Sequence, residues 1–278
     1  MKTQEKRKEL AIVYLVAGIS SRFGGKVKAL EKITKNKTLI EYSLSQALKS
    51  GFSKIIFVVG NKTKKPFKEK FKNSYKGTKV FYALQSYDKK IRDKPWGTTD
   101  AICCTNYLLN CPFVVCNGDD IYGENSFKIL VGHLKNSDEE ATLGYKLIKV
   151  IPEKGAVIRG IAKSKNGYIR KIRDFFNITK SDLKASKTKP DDLCTMGIFA
   201  LHPRTLKFLK AKLRVFKKKN KGDRKAEYIL PNALSELIET KKFKMKIYPA
   251  SDKWLGITNP GDEREVMKRL LEGNRKKI

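Results

Sequence analysis

Ala11-Ile-Val-Tyr-Leu-Val-Ala17 is a continuous apolar run that leads directly into Gly18-Ile-Ser-Ser-Arg-Phe-Gly-Gly25 and then into Lys26-Val-Lys-Ala-Leu30. The run has the length and the β-branched content of a buried strand. Glycine and small residues after a strand let backbone N–H groups approach an anion closely, and arginine and lysine add full positive charge. The stretch therefore predicts a strand followed by a loop that binds a polyphosphate.

Strands and helices alternate along the first half of the chain. Strands are predicted at 11–17, 54–60, 80–84 and 113–117, and helices at 38–51, 66–73 and 99–109. The apolar residues of the first helix share one face, and Gly51 stands where a helix C-terminus favours glycine. This rhythm indicates an α/β protein whose mostly parallel sheet is covered by helices on both faces.

The second half is less regular. Strands are predicted at 141–150, 167–173, 193–200 and 244–249, and helices at 203–216, 225–239 and 262–271. No repeat and no long linker divides the chain. We expect these elements to extend the same sheet and to form a lid over a ligand.

Asn117-Gly-Asp-Asp120 follows the fourth predicted strand of the first half. Ligands of α/β sheets bind beyond the carboxyl ends of the strands, where the glycine-rich loop also lies. Two adjacent carboxylates suit Mg²⁺, which takes one or two carboxylates together with phosphate oxygens and water. The alternative is a solvated Asx turn.

Three further features carry weaker signals. Lys94-Pro-Trp-Gly-Thr-Thr-Asp100 offers free N–H groups at a helix start, or is simply a helix cap formed by Thr98 or Thr99. The segment that begins at Trp254 reads as a turn between a strand and a helix. His133 and His202 have no nucleophilic partner pattern, and we interpret both as structural.

The chain carries 61 lysine and arginine residues against 28 aspartate and glutamate residues, a net charge of +33. A field this positive attracts nucleic acids, anionic membrane surfaces and phosphorylated metabolites. The lysines are scattered along the whole chain, and the run at 217–221 has the composition of an exposed loop, so nucleic-acid binding is the less favoured interpretation. No zinc-finger, basic-zipper or RNA-recognition signature is present.

The sequence also bears on location and redox state. Apolar runs such as 55–59 and 112–116 are too short to span a bilayer, and the charged start at 1–9 is not followed by a signal-peptide core. The five cysteines form no Cys-x-x-Cys pair and are expected as free, buried thiols. We expect a cytoplasmic protein without a membrane span.

Taken together, these pieces resemble the sugar-1-phosphate nucleotidyltransferases, or NDP-sugar pyrophosphorylases, in the short form that lacks a C-terminal domain. The resemblance covers about residues 10–272. Its carriers are Ala17-Gly-Ile-Ser-Ser-Arg-Phe-Gly-Gly25 with Lys28-Ala-Leu30, Gln85, Pro95-Trp-Gly-Thr98, Asn117-Gly-Asp-Asp-Ile-Tyr-Gly123, Gly144-Tyr145, Glu227-Tyr-Ile-Leu-Pro231 and Trp254-Leu-Gly-Ile-Thr258.

The resemblance implies a single domain at 10–272 with a Rossmann-like, twisted sheet. Its nucleotide-binding half would be about 10–135, its sugar-binding and lid half about 136–272, and charged tails would lie at 1–9 and 273–278. The implied reaction is NTP + sugar 1-phosphate ⇌ NDP-sugar + pyrophosphate, with Mg²⁺ as cofactor. Related enzymes are often dimers or tetramers, so a homo-oligomer is also implied.

The resemblance also assigns roles to residues. The nucleotide would be bound by Ala17, Gly18, Ser20, Trp96 and Gly118. Its base would be recognised by Gln85, Gly97 and Thr98. Arg22 would neutralise the β- and γ-phosphates, Lys28 would hold a phosphate of the reacting pair, and Asp119 would ligate Mg²⁺. Gly144 and Glu227 would meet sugar hydroxyls.

The chain departs from the family pattern at three places. Gly256 stands where relatives often have a second metal-binding aspartate; either Asp252 would substitute for it, or Asp119 would act with water and phosphates only. No clear Glu-Lys-Pro segment is present to touch the sugar phosphate, and Arg173, or its neighbours Arg170 and Lys171, would take that role. One extra residue in the loop leaves both Lys26 and Lys28 as candidates for the loop lysine.

We therefore favour an enzyme that joins UTP or dTTP to a sugar 1-phosphate. One alternative is a cytidylyl- or guanylyltransferase that acts on another phosphorylated acceptor, such as a polyol phosphate. The other is a nucleic-acid-binding or regulatory protein that reuses the fold.

Overall fold

The computed structural model describes residues 9–18, 27–153, 155–184, 188–256, 266–268 and 270. The strands are β1 (Ala11–Val16), β2 (Lys32–Thr34), β3 (Lys37–Thr38), β4 (Lys54–Val59), β5 (Ser74–Tyr75), β6 (Thr78–Leu84), β7 (Phe113–Asn117), β8 (Asp120–Ile121), β9 (Glu140–Lys146), β10 (Val157–Lys165), β11 (Tyr168–Ile178), β12 (Leu193–Thr195), β13 (Phe199–Leu201), β14 (Met245–Pro249) and β15 (Leu255–Gly256). The α-helices are α1 (Leu39–Ala47), α2 (Lys64–Phe71), α3 (Thr98–Cys103), α4 (Glu124–Asn136), α5 (Leu147–Val150), α6 (Pro203–Lys219) and α7 (Leu230–Glu239).

Four parallel strands form the first half of the sheet, in the spatial order β6, β4, β1, β7. The chain builds outward from β1 to β4 and β6, and then returns to place β7 on the other side of β1. The strand order therefore reverses between β1 and β7. Their carboxyl ends border the crevice at which open α/β sheets bind ligands.

The second half of the chain continues the same eleven-stranded sheet with mixed directions. Strand β13 is antiparallel to both β7 and β9, whereas β14 runs parallel to β9. Strands β10 and β11 form a long hairpin across Asn166-Gly167, where both residues have positive φ. Asn-Gly with two left-handed residues is the turn that matches the twist of paired strands. The α/β class and the parallel first half are confirmed, and the sheet as a whole is mixed.

Apolar side chains cover both faces of the sheet, as the alternation predicts. Helices α1, α2 and α4 pack on one face with Ile12 and Tyr14 of β1, and α3, α6 and α7 pack on the other face with Ala11 and Val13. Strand β1 is buried at five of its six positions. A strand covered on both faces must be apolar throughout, which explains the continuous run that opens the chain.

Several predicted boundaries differ from the observed ones. The predicted strand 141–150 turns into α5 at Leu147, and the strand 193–200 is interrupted at Met196, whose carbonyl oxygen lies 2.9 Å from the Tyr122 hydroxyl. The helix expected at 99–109 ends at Cys103 and continues as turns. The helix expected at 225–239 begins at Leu230, because Tyr228 pairs with the backbone of Trp96 and Thr99. Most of the helix expected at 262–271 lies outside the described residues.

Among the described elements of five or more residues, two were not predicted, α4 and β10. The signal for α4 was present, since Phe127, Leu130, Val131 and Leu134 follow the spacing of a helix face and are buried. The sequence signal for β10 was Asn166-Gly167, the turn that joins β10 to β11.

All five cysteines are free thiols. Cys111, Cys116 and Cys194 are buried, and burial raises the pKa of the partly buried Cys103 to about 12. No helix within the described ranges is long and apolar enough to cross a membrane.

An aromatic cluster under α2 should contribute strongly to stability. The ring of Phe57 is fully buried, with centroids 5.0 Å from Phe67, 4.8 Å from Phe71 and 6.0 Å from Tyr82. We expect Phe57→Ala to lower the free energy of unfolding by about 3–5 kcal/mol, because it leaves a cavity among rings that cannot collapse. Denaturant unfolding measures this change.

Phe176→Ala is the matched control, because that ring is 66% exposed. It should change the free energy of unfolding by no more than about 0.5 kcal/mol. Equal losses in the two variants would contradict the importance assigned to the Phe57 cluster.

Candidate functional site

The site is built at the point where the strand order reverses. Asn117 at the end of β7 pairs with Leu15 of β1, and the Gly118 N–H donates to the Leu15 carbonyl at 3.1 Å. A Cβ on Gly118 would lie 2.2 Å from Cγ1 of Val16, so glycine is required for this close approach. The contact sets the following residue, Asp119, beside the end of β1.

Two neighbouring cavities open at this edge of the sheet. The first has a volume of about 330 Å³ and is lined by residues from both halves of the chain, among them Thr98, Asn117, Asp119, Asp120, Arg159, Gly160, Thr195, Leu230 and Trp254. The second has a volume of about 270 Å³ and is lined by Leu15, Val16, Gly18, Val27, Lys28, Ala29, Gly118 and Asp119. Leu15, Lys28 and Asp119 line both cavities, so they form the boundary between them.

Lys28 and Asp119 form an ion pair at that boundary. Their Nζ and Oδ2 atoms are 3.7 Å apart, and their side chains are 14% and 41% exposed. The surrounding protein raises the pKa of Asp119, and the Lys28 ammonium opposes this effect. The pair therefore presents a lysine charge and a carboxylate oxygen side by side to the contents of both cavities.

Asp120 is the buried partner of Asp119. Its Oδ2 accepts hydrogen bonds from Asn117 Nδ2 at 3.0 Å and from the Tyr122 hydroxyl at 3.1 Å. Burial and the neighbouring Asp119 carboxylate raise the pKa of Asp120 to about 7. Two carboxylates thus lie close together in the first cavity, where a cation would relieve their repulsion.

Gly256 lies against this carboxylate. A Cβ on Gly256 would lie 2.6 Å from Asp120 Oδ1 and 2.3 Å from the Trp254 ring. No larger side chain fits at position 256 unless Trp254 moves. Asp120 and Trp254 thus fill the room in which the resemblance would place a second aspartate.

Asp252, expected as a metal ligand, does not join Asp119 and lines neither cavity. Its Oδ2 accepts a hydrogen bond from the Ser126 N–H at 2.9 Å, and its Oδ1 accepts one from Asn125 Nδ2 at 3.0 Å. Asp252 thus accepts from one free backbone N–H and one side-chain amide in the first turn of α4, and its expected role as a metal ligand stays a prediction. Among the described residues, no group of three or more His, Cys, Asp or Glu side chains is arranged to enclose a metal.

Gln85 and Gly97, expected to read a base, are joined by a hydrogen bond. Gln85 follows β6 and is only 6% exposed, and its Nε2 donates to the Gly97 carbonyl and to Asp100 Oδ2, both at 2.9 Å. The other Asp100 oxygen accepts a hydrogen bond from Lys217 at 2.5 Å. Because both partners of Nε2 are acceptors, the orientation of the Gln85 amide is fixed.

Thr98 lines the first cavity at the start of α3, and its hydroxyl accepts a hydrogen bond from the Leu230 N–H at 2.8 Å. Trp96 lines neither cavity. The Arg92 guanidinium lies 3.3 Å from the centroid of its ring, and Phe216 packs edge-on against it. Trp96 is half-buried between Arg92 and Phe216, where it supports the loop that carries Thr98.

The three residues expected at the sugar phosphate lie outside both cavity linings. Gly144 is buried in β9, where a Cβ would lie 2.9 Å from Ile247. Glu227 is exposed and forms an ion pair with Lys94. Arg173 is exposed on β11. The hairpin strand paired with β11 supplies the lining instead, through Ile158, Arg159 and Gly160 of β10.

Sequence reasoning therefore missed Arg159 and Thr195. Both belong to strands that were unpredicted or wrongly bounded, and no local motif marks either residue. Gly18 lines the second cavity, and Ala17 lies beside it in sequence. Ser20, Arg22 and Lys26 lie outside the described residues.

Comparisons with known proteins agree with this geometry. The sequence model of the nucleotidyl transferase family matches residues 24–272. The bifunctional protein GlmU of Staphylococcus carnosus is 25% identical over 249 residues, which cover 86% of this chain and 47% of GlmU. The chain thus spans about half the length of that relative.

Two further proteins match over most of their length. UTP–glucose-1-phosphate uridylyltransferase 2 of Streptococcus pyogenes is 25% identical over 267 residues, covering 86% of this chain and 84% of the relative. The solved structure of the inositol-1-phosphate CTP transferase from T. maritima superimposes with a TM-score of 0.66 at 16% identity, covering 96% and 97% of the two chains. The last likeness establishes the fold.

Gly97 should be irreplaceable for steric reasons. Its φ is +92°, and a Cβ would lie 2.7–2.9 Å from the backbone of Tyr228. We expect Gly97→Ala to lower the free energy of unfolding by at least about 1–3 kcal/mol, because a left-handed non-glycine residue would also collide with fixed backbone. Thermal or denaturant unfolding checks this value.

Gly222→Ala is the matched control, because a Cβ there meets no atom within 4 Å. Its effect should stay within about 0.5 kcal/mol. A Gly97→Ala protein as stable as the Gly222→Ala protein would contradict the steric argument.

Proposed function

The chain belongs to the nucleotidyl transferase family, and from this premise we propose that it transfers a nucleotidyl group from UTP or dTTP to a sugar 1-phosphate, with release of pyrophosphate. The observation that carries the proposal is the pair of cavities that meet at Lys28 and Asp119. A two-substrate phosphate transfer needs two adjoining sites and a charged boundary at which the phosphates meet.

Each cavity suits one substrate. The second cavity borders Gly18, where the glycine-rich loop begins, and we assign the triphosphate to it. Ser20 and Arg22 of that loop remain proposed contacts to the triphosphate. The first cavity is formed by both halves of the chain, and we assign the sugar phosphate to it.

The chemistry needs charge more than it needs a base. A sugar 1-phosphate is already an anionic nucleophile near neutral pH. One of its oxygens attacks the α-phosphorus, the bond from that phosphorus to the bridging oxygen of the β-phosphate breaks, and pyrophosphate leaves. Lys28 at the boundary would hold the reacting phosphates together and stabilise the charge that develops there.

Mg²⁺ is part of the proposal, and the donor set fits it. Asp119 offers a partly exposed carboxylate in both cavities, with Asp120 beside it in the first. Hard oxygen ligands of this kind, completed by phosphate oxygens and water, suit Mg²⁺ without a larger cluster of carboxylates. When bound, the ion would supply positive charge that neutralises the phosphates.

The proposed preference for uracil or thymine rests on Gln85. Gln85 is buried and lines neither cavity, and both N–H bonds of its amide face the Gly97 carbonyl and Asp100, so a base that reached it would meet only its carbonyl oxygen. Uracil and thymine present an N–H on the ring edge, whereas the corresponding ring nitrogen of cytosine is an acceptor. The orientation of Gln85 therefore supports UTP or dTTP over CTP.

The roles of Lys28 and Asp119 can be tested by substitution. We expect Lys28→Ala and Asp119→Asn each to lower kcat by about two to three orders of magnitude with Mg²⁺ present, because each removes charge that acts on the transferring phosphates. Pyrophosphate release from UTP and glucose 1-phosphate measures the rate. Arg22→Ala should lower kcat to a similar extent.

Two exposed residues provide matched controls. Lys32→Ala and Asp191→Asn remove the same charges at positions outside both cavities and should keep kcat within about twofold. Wild-type turnover in Asp119→Asn would remove that residue from the site. Lack of pyrophosphate release by the wild-type protein across a panel of NTPs and sugar 1-phosphates would end the proposal.

Base preference is a separate test. With glucose 1-phosphate held constant, kcat/KM for UTP or dTTP should exceed that for CTP by at least about tenfold, the value of one hydrogen bond. The comparison needs only pyrophosphate release measured with each nucleotide. Equal use of CTP would overturn the role of Gln85 and leave nucleotidyl transfer itself standing.

A further inference from the structure

Arg159 is a cation in the wall of the first cavity that the proposed chemistry does not yet use. It lies on β10, whereas Asp119 and Asp120 follow β7. The cavity is therefore bounded by carboxylates from one half of the chain and by a guanidinium from the other half.

Arg159 forms no direct salt bridge with a carboxylate among the described residues, and its hydrogen bonds go to the backbone. Its Nε and Nη2 donate to the Val150 carbonyl at 3.1 and 2.6 Å, and its Nη1 donates to the Ile158 carbonyl at 3.0 Å. Neutral carbonyls orient a guanidinium but do not neutralise it. Burial lowers the pKa of Arg159, and the Asp120 carboxylate, which lines the same cavity, opposes this effect. A partly buried guanidinium that is not in salt-bridge contact is costly, and an anionic ligand would offset that cost.

Arg92 shows what distinguishes Arg159. Arg92 is also buried and also donates only to carbonyls, those of Lys94, Asp223 and Ala226. It lines neither cavity of the site, and its role is to tie loops together beneath Trp96. Arg159 contacts two carbonyl oxygens through three of its five N–H groups. One N–H therefore remains on each terminal nitrogen, enough for two oxygens of one anion.

The side chains around Arg159 hold its guanidinium in place and offer apolar surface to the carbon atoms of a ligand. The Trp254 ring centroid lies 5.2 Å from its Cζ, within the range of a cation–π contact. Ile158, the preceding residue, also lines the cavity and is 55% exposed. A fixed cation next to apolar surface fits a small organic anion better than it fits free phosphate.

We propose that Arg159 binds an anionic group of the acceptor molecule in the first cavity, either its transferred phosphate or a second acid on its carbon skeleton. The inference rests on the proposed function and names the acceptor-binding cation of that site. It assigns to Arg159 the role that sequence reasoning gave to Arg173.

The test compares Arg159→Gln and Arg159→Lys with the wild-type protein, using two acceptors of different charge. Glucose 1-phosphate carries only the phosphate, and glucuronic acid 1-phosphate carries a carboxylate as well. Steady-state kinetics give KM for each acceptor and for the NTP, and calorimetry gives acceptor binding without turnover. Arg214→Gln, an exposed arginine on α6, is the matched control.

We expect Arg159→Gln to raise KM and Kd for the recognised acceptor by about 10- to 100-fold, as for loss of a charge-assisted hydrogen bond. KM for the NTP should change by less than about threefold, and Arg159→Lys should recover part of the loss because it keeps the charge. Arg214→Gln should behave like wild type. A loss with both acceptors identifies the phosphate as the bound group, and a loss confined to glucuronic acid 1-phosphate identifies the carboxylate.

Two outcomes would overturn the proposal. One is unchanged acceptor binding in an Arg159→Gln protein that unfolds at the wild-type temperature. The other is a rise in KM for the NTP with the acceptor unaffected. If Arg159→Gln does not fold, the Arg159→Lys protein provides the test. Lysine cannot donate two parallel hydrogen bonds to one anion, so Kd for the acceptor should still rise.

The inference and the proposed function can fail separately. If the wild-type protein releases no pyrophosphate with any pair of substrates, calorimetry still reports whether glucose 1-phosphate or inorganic phosphate binds in an Arg159-dependent way. Binding without turnover would contradict nucleotidyl transfer and retain the anion site. Turnover that does not depend on Arg159 would contradict the anion site and retain nucleotidyl transfer.

Discussion

The close contact between the carboxyl ends of β1 and β7 is the constraint on which the site depends. Gly118 brings the two backbones together because any side chain there would collide with Val16. The contact fixes Asp119 beside the end of β1, where Lys28 reaches it. Loss of this approach would separate the carboxylate from the lysine and merge or close the two cavities. One glycine therefore determines whether the reversal in strand order becomes a usable site.

The charged side chains of the site are held in fixed positions, and they are not all paired with one another. Asp119 and Asp120 repel each other in a partly enclosed space, and Lys28 forms an ion pair with Asp119. Arg159 brings a further positive charge from the other half of the chain, held by carbonyls. Such an arrangement costs folding energy and gives fixed charges that need no rearrangement when phosphates enter. The scattered lysines that raise the net charge to +33 draw anions toward the protein in general, whereas these few residues give the site its geometry.

Residues that the sequence places at the site also make local contacts within the fold. Asp252 caps the first turn of α4, and Trp96 is packed against Arg92. Both tasks arise from ordinary needs of the fold, since helix N-termini require acceptors and large rings require burial. A motif in sequence marks a segment that must be near the site. It does not tell which side chain of that segment turns toward the ligand.

The sequence by itself determined the α/β class, the parallel first half, and the meeting of Gly18 and Lys28 with the Asn117-Gly-Asp-Asp120 segment. These follow from local periodicity and from the rule that places ligands at strand ends. It also drew attention to Lys28 and Asp119. Only the tertiary structure decided that Asp120 fills the room beside Gly256, that Gln85 faces Asp100, and that Arg159 enters the first cavity. These facts depend on pairing between distant strands and on competition for space and hydrogen bonds, and neither is encoded in any single stretch of the chain.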